Sequence, residues 1–283
     1  MSSFAEIQSV VDLESKLADI KIPWDEIAPQ NIQDWLDVFA KRHGTMRDLL
    51  LTGMLPCTGA LIGDTTVKLS DCWKENGNLF FVGLAPSGAG KTPACNIACV
   101  NPLISHLEPR VQRSILVDET SANGLFNHFV NCQTGTERAH VPLLCIDEGY
   151  TFMQKLISTS KSASQTSLTM ERICKLYDGD HWYSVKGKGK CVGVQRARMS
   201  MSTFTTPRQF LTEIWPKVVA CKNGLADRIL VLCQERMQRE IEEIEMFSAQ
   251  LMEESAVKLK RASELCTNKY TSNTTKRTLL NTL

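Results

Sequence analysis

The chain has 283 residues, with 32 lysines and arginines against 31 aspartates and glutamates, and 43% of its residues are hydrophobic. This composition excludes disorder over most of the chain, because disorder requires low hydrophobicity and high net charge. The longest apolar runs, such as 79–85 and 225–233, are far shorter than the roughly 20 residues that a membrane-spanning helix needs. A net charge of +1 gives no overall attraction to nucleic acid, so any such affinity requires a local basic patch.

The 11 cysteines are scattered singly and form no CxxC pair, which favours a reduced, intracellular protein. Cys95 and Cys99 are one helical turn apart in a predicted helix, and we expect them to pack in the interior rather than to bind a metal. Residues 1–20 mix charged with apolar side chains and do not resemble a secretory signal peptide. We therefore expect a cytoplasmic or nuclear location and no secretion.

The first segment, residues 1–78, is predicted to be a helical N-terminal region. Residues 4–19 carry a weak helical pattern, and Asn31 is in position to cap a helix through residues 32–39. A further apolar stretch, residues 46–62, is interrupted by Pro56 and two glycines. The apolar faces of these helices need a partner, so we expect the region to pack against the rest of the chain.

The second segment, residues 79–233, alternates between predicted strands and helices. Five apolar runs are predicted strands: 79–83, 114–117, 141–146, 198–205 and 228–233. Predicted helices over residues 91–107 and 121–130 separate the first three of them. This alternation is typical of an α/β fold with a parallel five-stranded sheet and helices on both faces.

The third segment, residues 234–283, is predicted to be an amphipathic helix followed by a polar tail. An apolar stripe recurs at helical spacing along residues 237–251. Glutamates are concentrated at the start of this helix and basic residues near its end, as the helix dipole favours. The last stretch, residues 267–283, is rich in Ser, Thr and Asn, and we expect it to be frayed.

A glycine-rich loop follows the first predicted strand: Ala85, Pro86, Ser87, Gly88, Ala89, Gly90, Lys91 and Thr92. It fits the phosphate-binding loop, with alanine in place of the first glycine. The glycines let the backbone turn its N–H groups inward around phosphate oxygens. Lys91 is predicted to contact the β- and γ-phosphates and Thr92 to bind Mg²⁺, at the positive end of the helix that begins there. Pro93 is compatible because the first turn of a helix does not need its N–H.

The third predicted strand ends in two adjacent acids, Asp147 and Glu148. Hydrolysis of a nucleoside triphosphate needs a carboxylate in the Mg²⁺ shell and a base that orients the attacking water. Asp147 is the predicted metal residue and Glu148 the predicted catalytic base, while the alternative is that both acids cap the next helix. An Asn-Lys-x-Asp motif, which a GTPase would carry, does not occur, so ATP is the favoured nucleotide.

These motifs, in this order, resemble a family of P-loop NTPase domains found beside primase–polymerase modules in phages and mobile elements. The resemblance covers roughly residues 22–234, and it rests on the phosphate loop, on Leu144–Glu148 and on four further blocks, 116–120, 176–179 with Trp182, 206–207 and 224–228. It implies a RecA-like or AAA+ ATPase, a homo-oligomer that acts as a helicase-like motor in replication.

The resemblance also implies roles for residues near the last two strands. In RecA-like and AAA+ sheets, the strand between the two ATP motifs ends in a polar residue that senses the γ-phosphate, and Thr205 and Thr206 are the candidates. The alternative for them is an ordinary strand end. Arg228 is expected to stabilise charge in the transition state, in its own chain or at the ATP of a neighbouring subunit. A surface salt bridge, for example with Asp227, is the alternative for Arg228.

Residues 182–198 are the candidate for nucleic-acid contact. They include Lys186, Lys188 and Lys190 in a glycine-containing stretch typical of a hairpin tip, without an acidic residue. The lysines could bind phosphates while Trp182 and Tyr183 stack on bases. The alternative is a charged hairpin that is merely solvated.

Together these features predict Mg²⁺-dependent ATP hydrolysis coupled to work on single-stranded nucleic acid. Two alternatives stay open. One is an ATP-gated adaptor with little turnover that docks through the stripe at residues 237–251, and the other is a decayed mobile-element remnant that binds nothing.

Overall fold

The N-terminal region is helical up to residue 62. The computed structural model describes residues 4–63, 66–68, 70–71, 74–107, 115–117, 122–134, 141–157, 170–186, 190–220 and 224–234. The first of these ranges contains α1 (Phe4–Ala18), α2 (Trp24–Ile27), α3 (Gln30–Arg42) and α4 (Arg47–Ile62). A short antiparallel hairpin, which the sequence did not predict, follows as β1 (Thr66–Lys68) and β2 (Lys74–Asn76).

A parallel sheet forms the centre of the fold. The further strands are β3 (Phe80–Leu84), β4 (Leu116–Val117), β5 (Leu143–Ile146), β6 (Trp182–Lys186), β7 (Lys190–Val194), β8 (Ser200–Thr205) and β9 (Ile229–Cys233). The sheet has the order β4-β5-β8-β3-β9 with every neighbouring pair parallel, and β6 and β7 form a separate antiparallel hairpin. Four of its strands are four to six residues long, whereas β4, at one edge, has two. The predicted α/β class with a parallel sheet is confirmed.

The helices of the second segment lie between the strands in chain order. After β3 the chain forms α5 (Lys91–Cys95), a π-helical turn (Asn96–Val100) and α6 (Asn101–His106). The next helices are α7 (Ala122–Thr134), α8 (Gly149–Ile157) and α9 (Met170–Asp178). β8 is followed by α10 (Pro207–Gln209), a π-helical turn (Phe210–Ile214) and α11 (Trp215–Ala220), and a 3₁₀ turn (Ala226–Arg228) precedes β9.

The sheet is covered on both faces. One face shares a hydrophobic cluster with α3, α4, α5 and α6, so the N-terminal helices pack against the core as expected. The other face shares a cluster with α7, α8, α9 and the helical stretch after β8. Every residue of β3 and β8 is buried, as is usual for strands of a parallel sheet between two helical layers.

Pro56, which interrupts the apolar stretch of the sequence, lies inside α4 without breaking the helix. Proline has no N–H to donate to the carbonyl four residues earlier, which in α4 is that of Thr52. The Ser202 hydroxyl on β8 donates to the Thr52 carbonyl oxygen at 3.1 Å, and both residues are buried. A long-range side-chain hydrogen bond therefore replaces the one that the helix cannot make.

The start of α3 also differs from the prediction, because the helix begins at Gln30 and Asn31 does not cap it. The N-cap residue is Pro29, whose carbonyl oxygen accepts hydrogen bonds from the N–H groups of Ile32 and Gln33 at 2.9 and 3.2 Å. The first turn is thus closed by backbone groups, without a side-chain cap.

Several predictions concern residues outside the described part of the chain. These are the amphipathic helix and polar tail over 235–283 and the acids of the 116–120 block, Asp118 and Glu119. Within the described part, none of the helices combines the length and the apolar character that crossing a membrane demands.

Ser202→Ala tests how α4 accommodates Pro56. We expect the free energy of unfolding to fall by about 1–3 kcal/mol, because the buried Thr52 carbonyl loses its donor. In a Pro56→Ala background the restored backbone N–H satisfies that carbonyl, so the same change should cost less than about half as much. Urea denaturation of the four proteins measures both costs, and equal costs in the two backgrounds would contradict the replacement.

Candidate functional site

The glycine-rich loop and the two acids lie at the same edge of the sheet. β8 separates β3 from β5, with Leu84 opposite Thr205 and Ile146 opposite Thr203. Because all three strands are parallel, the segments that follow β3 and β5 leave the sheet at their shared carboxyl edge. Residues that are far apart in the sequence therefore meet there.

Two glycines give the loop its shape. Gly88 and Gly90 have φ angles of 79° and 81°, in the left-handed region that L side chains rarely adopt. The Ala89 N–H donates to the Pro86 carbonyl oxygen at 3.3 Å and closes a turn between them. Left-handed residues in such a turn allow neighbouring N–H groups to point to one side, which is how backbone nests bind anions.

Lys91, the first residue of α5, links the loop to the acids. Its ammonium donates to the carbonyl oxygens of Ala85 and Pro86 at 2.9 and 2.8 Å. Burial lowers the pKa of Lys91, while the charges of Glu148 and Asp147 act on this pKa in the opposite direction. The strand register places the start of α5 and the two acids at the same edge of the sheet, on either side of β8.

The two acids form the turn between β5 and α8. Asp147 is partly buried and Glu148 is exposed, and α8 begins at the next residue, Gly149. A Cβ on Gly149 would overlap the Thr203 hydroxyl and lie 3.0 Å from the Phe204 carbonyl oxygen. Glycine thus allows the turn with the acids to lie directly against β8, a requirement that the sequence did not reveal.

The predicted threonines occupy different environments. Thr92 is exposed on the first turn of α5. Thr205 is buried at the end of β8, and its carbonyl oxygen accepts a hydrogen bond from the Ala85 N–H at 3.1 Å. The Thr206 hydroxyl donates to the Gln209 side-chain oxygen at 2.8 Å, within the start of α10. Of the two sensor candidates, Thr205 is therefore the one bonded to the loop strand.

Among the residues that the structure describes, no group of three or more His, Cys, Asp or Glu side chains could hold a metal ion. Mg²⁺ in nucleotide sites is commonly held by one or two carboxylates together with hydroxyl, water and phosphate oxygens. Asp147 and Thr92 have the oxygen donors for such a site.

Arg228 lies away from the loop. Its guanidinium donates to both carboxylate oxygens of Asp178, at 3.0 and 2.8 Å, and to the Gly224 carbonyl oxygen at 2.9 Å. The next residue, Ile229, pairs with Phe80 at the amino end of β3, so the length of β3, roughly 15 Å, separates Arg228 from the loop. The geometry does not support a sensor role in the same chain. A salt bridge is present, but with Asp178 and not with Asp227, while a role at a neighbouring subunit stays a prediction.

The predicted hairpin is present as β6 and β7, but Trp182 is not available for stacking on bases. It is buried beside Phe126 and Phe129, with ring centroids 5.2 and 6.2 Å away. Tyr183 is 61% exposed and pairs across the hairpin with Gly193.

The hairpin lysines are described only in part. Lys186 and Lys190 are paired in its backbone register, and Lys188 lies outside the described residues. Contact of the hairpin with nucleic acid stays a prediction.

Cysteines pack beneath the loop. The sulfur atoms of Cys95 and Cys145 are 3.1 Å apart, and Cys99 also contacts Cys145. Hydrogen bonds from Cys95 and Cys99, together with burial, raise the pKa of Cys145. Cys95 and Cys99 are buried in the hydrophobic cluster on this face of the sheet, which confirms their expected packing in the interior.

The structure adds to the candidate site one residue that the sequence did not indicate. Thr45, in the turn between α3 and α4, donates its hydroxyl to the Gly90 carbonyl oxygen at 2.8 Å. Nothing in the sequence around Thr45 distinguishes it from an ordinary turn residue, because its partner is far along the chain.

Comparisons with known proteins do not assign a family. No protein-family model matches the chain, and no curated protein matches it. The resemblance to P-loop NTPase domains therefore stays a prediction, and function has to be inferred from the geometry of the residues.

A double-mutant cycle on Asp178→Asn and Arg228→Gln tests whether these side chains act as a pair. We expect a coupling free energy of about 1 kcal/mol, because a two-bond geometry strengthens a partly exposed ion pair. Urea unfolding of the wild type, both single variants and the double variant measures it. Additive losses would show that Arg228 contributes to stability without Asp178.

Proposed function

We propose that this chain is a P-loop NTPase of the RecA or AAA+ type that binds ATP with Mg²⁺ and hydrolyses it. The observation that carries this proposal is the strand register, which brings the glycine-rich loop with Lys91 and the acids Asp147 and Glu148 to one edge of the sheet, on either side of β8. A lone glycine-rich loop is a weak signal, but such a loop together with two acids that follow a second strand at the same sheet edge is a more specific one. The strand order, with β8 between the loop strand and the acidic strand, further supports this proposal.

Each residue at this edge has a chemical role in the proposal. The backbone N–H groups of residues 87–91 bind phosphate oxygens, and the Lys91 ammonium balances the charge of the β- and γ-phosphates. Thr92 and Asp147 hold Mg²⁺, which when bound neutralises phosphate charge and orients the triphosphate. The exposed carboxylate of Glu148 orients the attacking water and accepts its proton at a carboxylate oxygen.

Lys91 has to change partners when a triphosphate binds. In the structure, its ammonium donates to the carbonyl oxygens of Ala85 and Pro86, at the start of the loop. Phosphate oxygens carry full negative charge and form stronger hydrogen bonds with an ammonium than carbonyls do. The present contacts therefore keep the lysine at the site without competing strongly with the nucleotide.

We further propose that the hydrolysis is coupled to single-stranded nucleic acid in a homo-oligomer. Support comes from the acid-free basic stretch 182–198 and from the exposed ring of Tyr183 on the hairpin. Basic side chains bind the phosphate backbone, and an exposed aromatic ring offers a stacking surface to any base.

Lys91→Ala and Glu148→Gln separate nucleotide binding from hydrolysis. We expect Lys91→Ala to weaken the affinity for an ATP analogue by about 100-fold, because a charged partner of the phosphates is removed. Glu148→Gln keeps the shape and the hydrogen bonding, so affinity should stay within about 3-fold while turnover falls at least about 100-fold. Fluorescence titration and phosphate release measure the two quantities.

Lys217→Ala, at an exposed position on α11, is the matched control and should leave both quantities unchanged. Failure of the wild type to bind the analogue at millimolar concentration would refute the nucleotide proposal. Hydrolysis by Glu148→Gln at the wild-type rate would remove the catalytic role of Glu148. ATP-dependent oligomer mass with negligible turnover would instead favour the adaptor.

A double variant that combines Lys186→Gln and Lys190→Gln tests the hairpin proposal, because it removes the two lysines that are paired in the hairpin register. We expect weaker binding of single-stranded DNA or RNA, and the slope of log affinity against log salt should fall by about 1.4, at about 0.7 per lost contact. Tyr183→Ala should weaken binding by about 1–3 kcal/mol without this change in slope. Fluorescence anisotropy over a salt series provides both readouts.

The matched control carries Lys155→Gln and Lys217→Gln, two exposed lysines outside the hairpin. If this control loses as much affinity as the hairpin variant, the binding is not specific to the hairpin. An ATPase rate that stays flat when single strands are added would remove the motor function while leaving ATP hydrolysis intact.

A further inference from the structure

The turn between α3 and α4 lies directly against the phosphate loop. A Cβ on Gly90 would be 2.4 Å from the Gly44 carbonyl oxygen and 2.7 Å from the Thr45 Cα, distances that real Cβ atoms do not show. The loop backbone therefore touches the backbone of the turn, and Gly90 is required both for this approach and for its left-handed φ of 81°.

The Gly90 carbonyl oxygen is held from two directions. It accepts the Ala94 N–H at 3.0 Å, within the first turn of α5, and the Thr45 hydroxyl at 2.8 Å. The next residue is Lys91, so the orientation of the peptide between Gly90 and Lys91 fixes where the lysine side chain begins. A loss of either hydrogen bond would free that peptide to rotate.

Thr45 is itself firmly anchored. It is 1% exposed, and its N–H donates to the Ala40 carbonyl oxygen of α3 at 3.0 Å. The residues just after Thr45 pack in the hydrophobic cluster between the N-terminal helices and the sheet, where Met46, Leu49 and Leu50 are buried. The hydroxyl is thus presented to Gly90 by a packed element and not by a free loop.

The first turn of α4 also contacts Gln234, the residue that follows β9. The Asp48 carboxylate accepts hydrogen bonds from the Trp24 indole and from the Gln234 side chain, both at 2.8 Å. The Gln234 N–H in turn donates to the Leu84 carbonyl oxygen at the end of β3, at 2.8 Å. The start of α4 therefore contacts the phosphate loop directly and β3 through Gln234.

We propose that Thr45 is a positioning residue for the phosphate loop. Its hydroxyl holds the Gly90 carbonyl and thereby sets the conformation from which Lys91 and the loop amides act. The effect on the loop needs no ligand, whereas the effect on affinity rests on the proposed ATP function. The N-terminal helices are in this way part of the nucleotide site.

Thr45→Val removes the hydroxyl with nearly the same shape, and Thr45→Ser keeps it. Thr52→Val is the matched control, because Thr52 is a buried threonine of α4 whose hydroxyl has no hydrogen-bond partner within the described structure. Thr45→Ala serves as a second variant in case valine is not accommodated. Deuterium exchange of peptides covering residues 86–95, with a peptide from β8 as internal reference, reports on the loop.

We expect Thr45→Val to speed exchange at the Ala94 amide by about 10-fold relative to the β8 reference, because one of two bonds to Gly90 is lost. Thr45→Ser should stay within about 3-fold of the wild type, and Thr52→Val should not change the ratio. For ATP-analogue binding, Thr45→Val should raise Kd by about 10-fold and Thr45→Ser should restore it.

The outcomes separate the two proposals. Unchanged loop exchange in both Thr45→Val and Thr45→Ala overturns the positioning role, whatever the nucleotide affinity. Faster exchange throughout the chain, with a constant ratio to β8, also overturns it, since Thr45 would then act on global stability alone. Faster loop exchange in a protein whose wild type binds no nucleotide supports positioning and refutes the ATP function.

Discussion

The parallel pairing of β8 with both β3 and β5 is the constraint on which the rest of this fold depends. Parallel strands end at a common edge, so the glycine-rich loop after β3 and the acids after β5 emerge side by side with one strand between them. An antiparallel neighbour would send one of these segments to the other edge, roughly the length of a strand away. Parallel sheets of this kind are found with both faces covered, and here α3 to α6 cover one face, while α7 to α9 and the helical stretch after β8 cover the other, where Leu17 of α1 also packs.

Side-chain hydroxyls complete the backbone hydrogen bonding where α4 meets this sheet. Ser202 on β8 supplies the donor that Pro56 cannot give to Thr52, and Thr45 supplies a second donor to Gly90. The Ser202 hydroxyl replaces the helix bond that Pro56 cannot make, whereas the Thr45 hydroxyl adds a second bond to a carbonyl that already accepts the Ala94 N–H. The two bonds join α4 to β8, and the turn before α4 to the loop. The N-terminal helices therefore belong to the core, although the composition of the sequence marks them as a separate segment.

The sequence was most informative where structure follows from local pattern. The apolar runs that became β3, β5, β8 and β9 were found to within two residues, because a buried strand is a continuous apolar run between turn signals. The sequence was less informative where the environment of a residue depends on a partner far away along the chain. The sequence predicts stacking on bases for Trp182, because Phe126 covers its ring only after folding. The bond by which Ser202 supports the helix at Pro56 was likewise not visible, because Ser202 lies far along the chain. The bond from Thr45 to Gly90 has no local signature at all.

β8 also connects the two ends of the proposed motor. At its amino end Met199 donates its N–H to the Leu176 carbonyl oxygen beside the hairpin, and at its carboxyl end the Thr205 carbonyl accepts the Ala85 N–H of the loop. The strand is paired on both sides, so it cannot deform locally without breaking backbone bonds to β3 or β5. A shift imposed at Thr205 would break these bonds unless β3 and β5 moved together with β8. Any coupling between a nucleotide at the loop and the hairpin would therefore have to move β3, β5 and β8 as one body, because displacement of β8 alone breaks its backbone bonds to both neighbours.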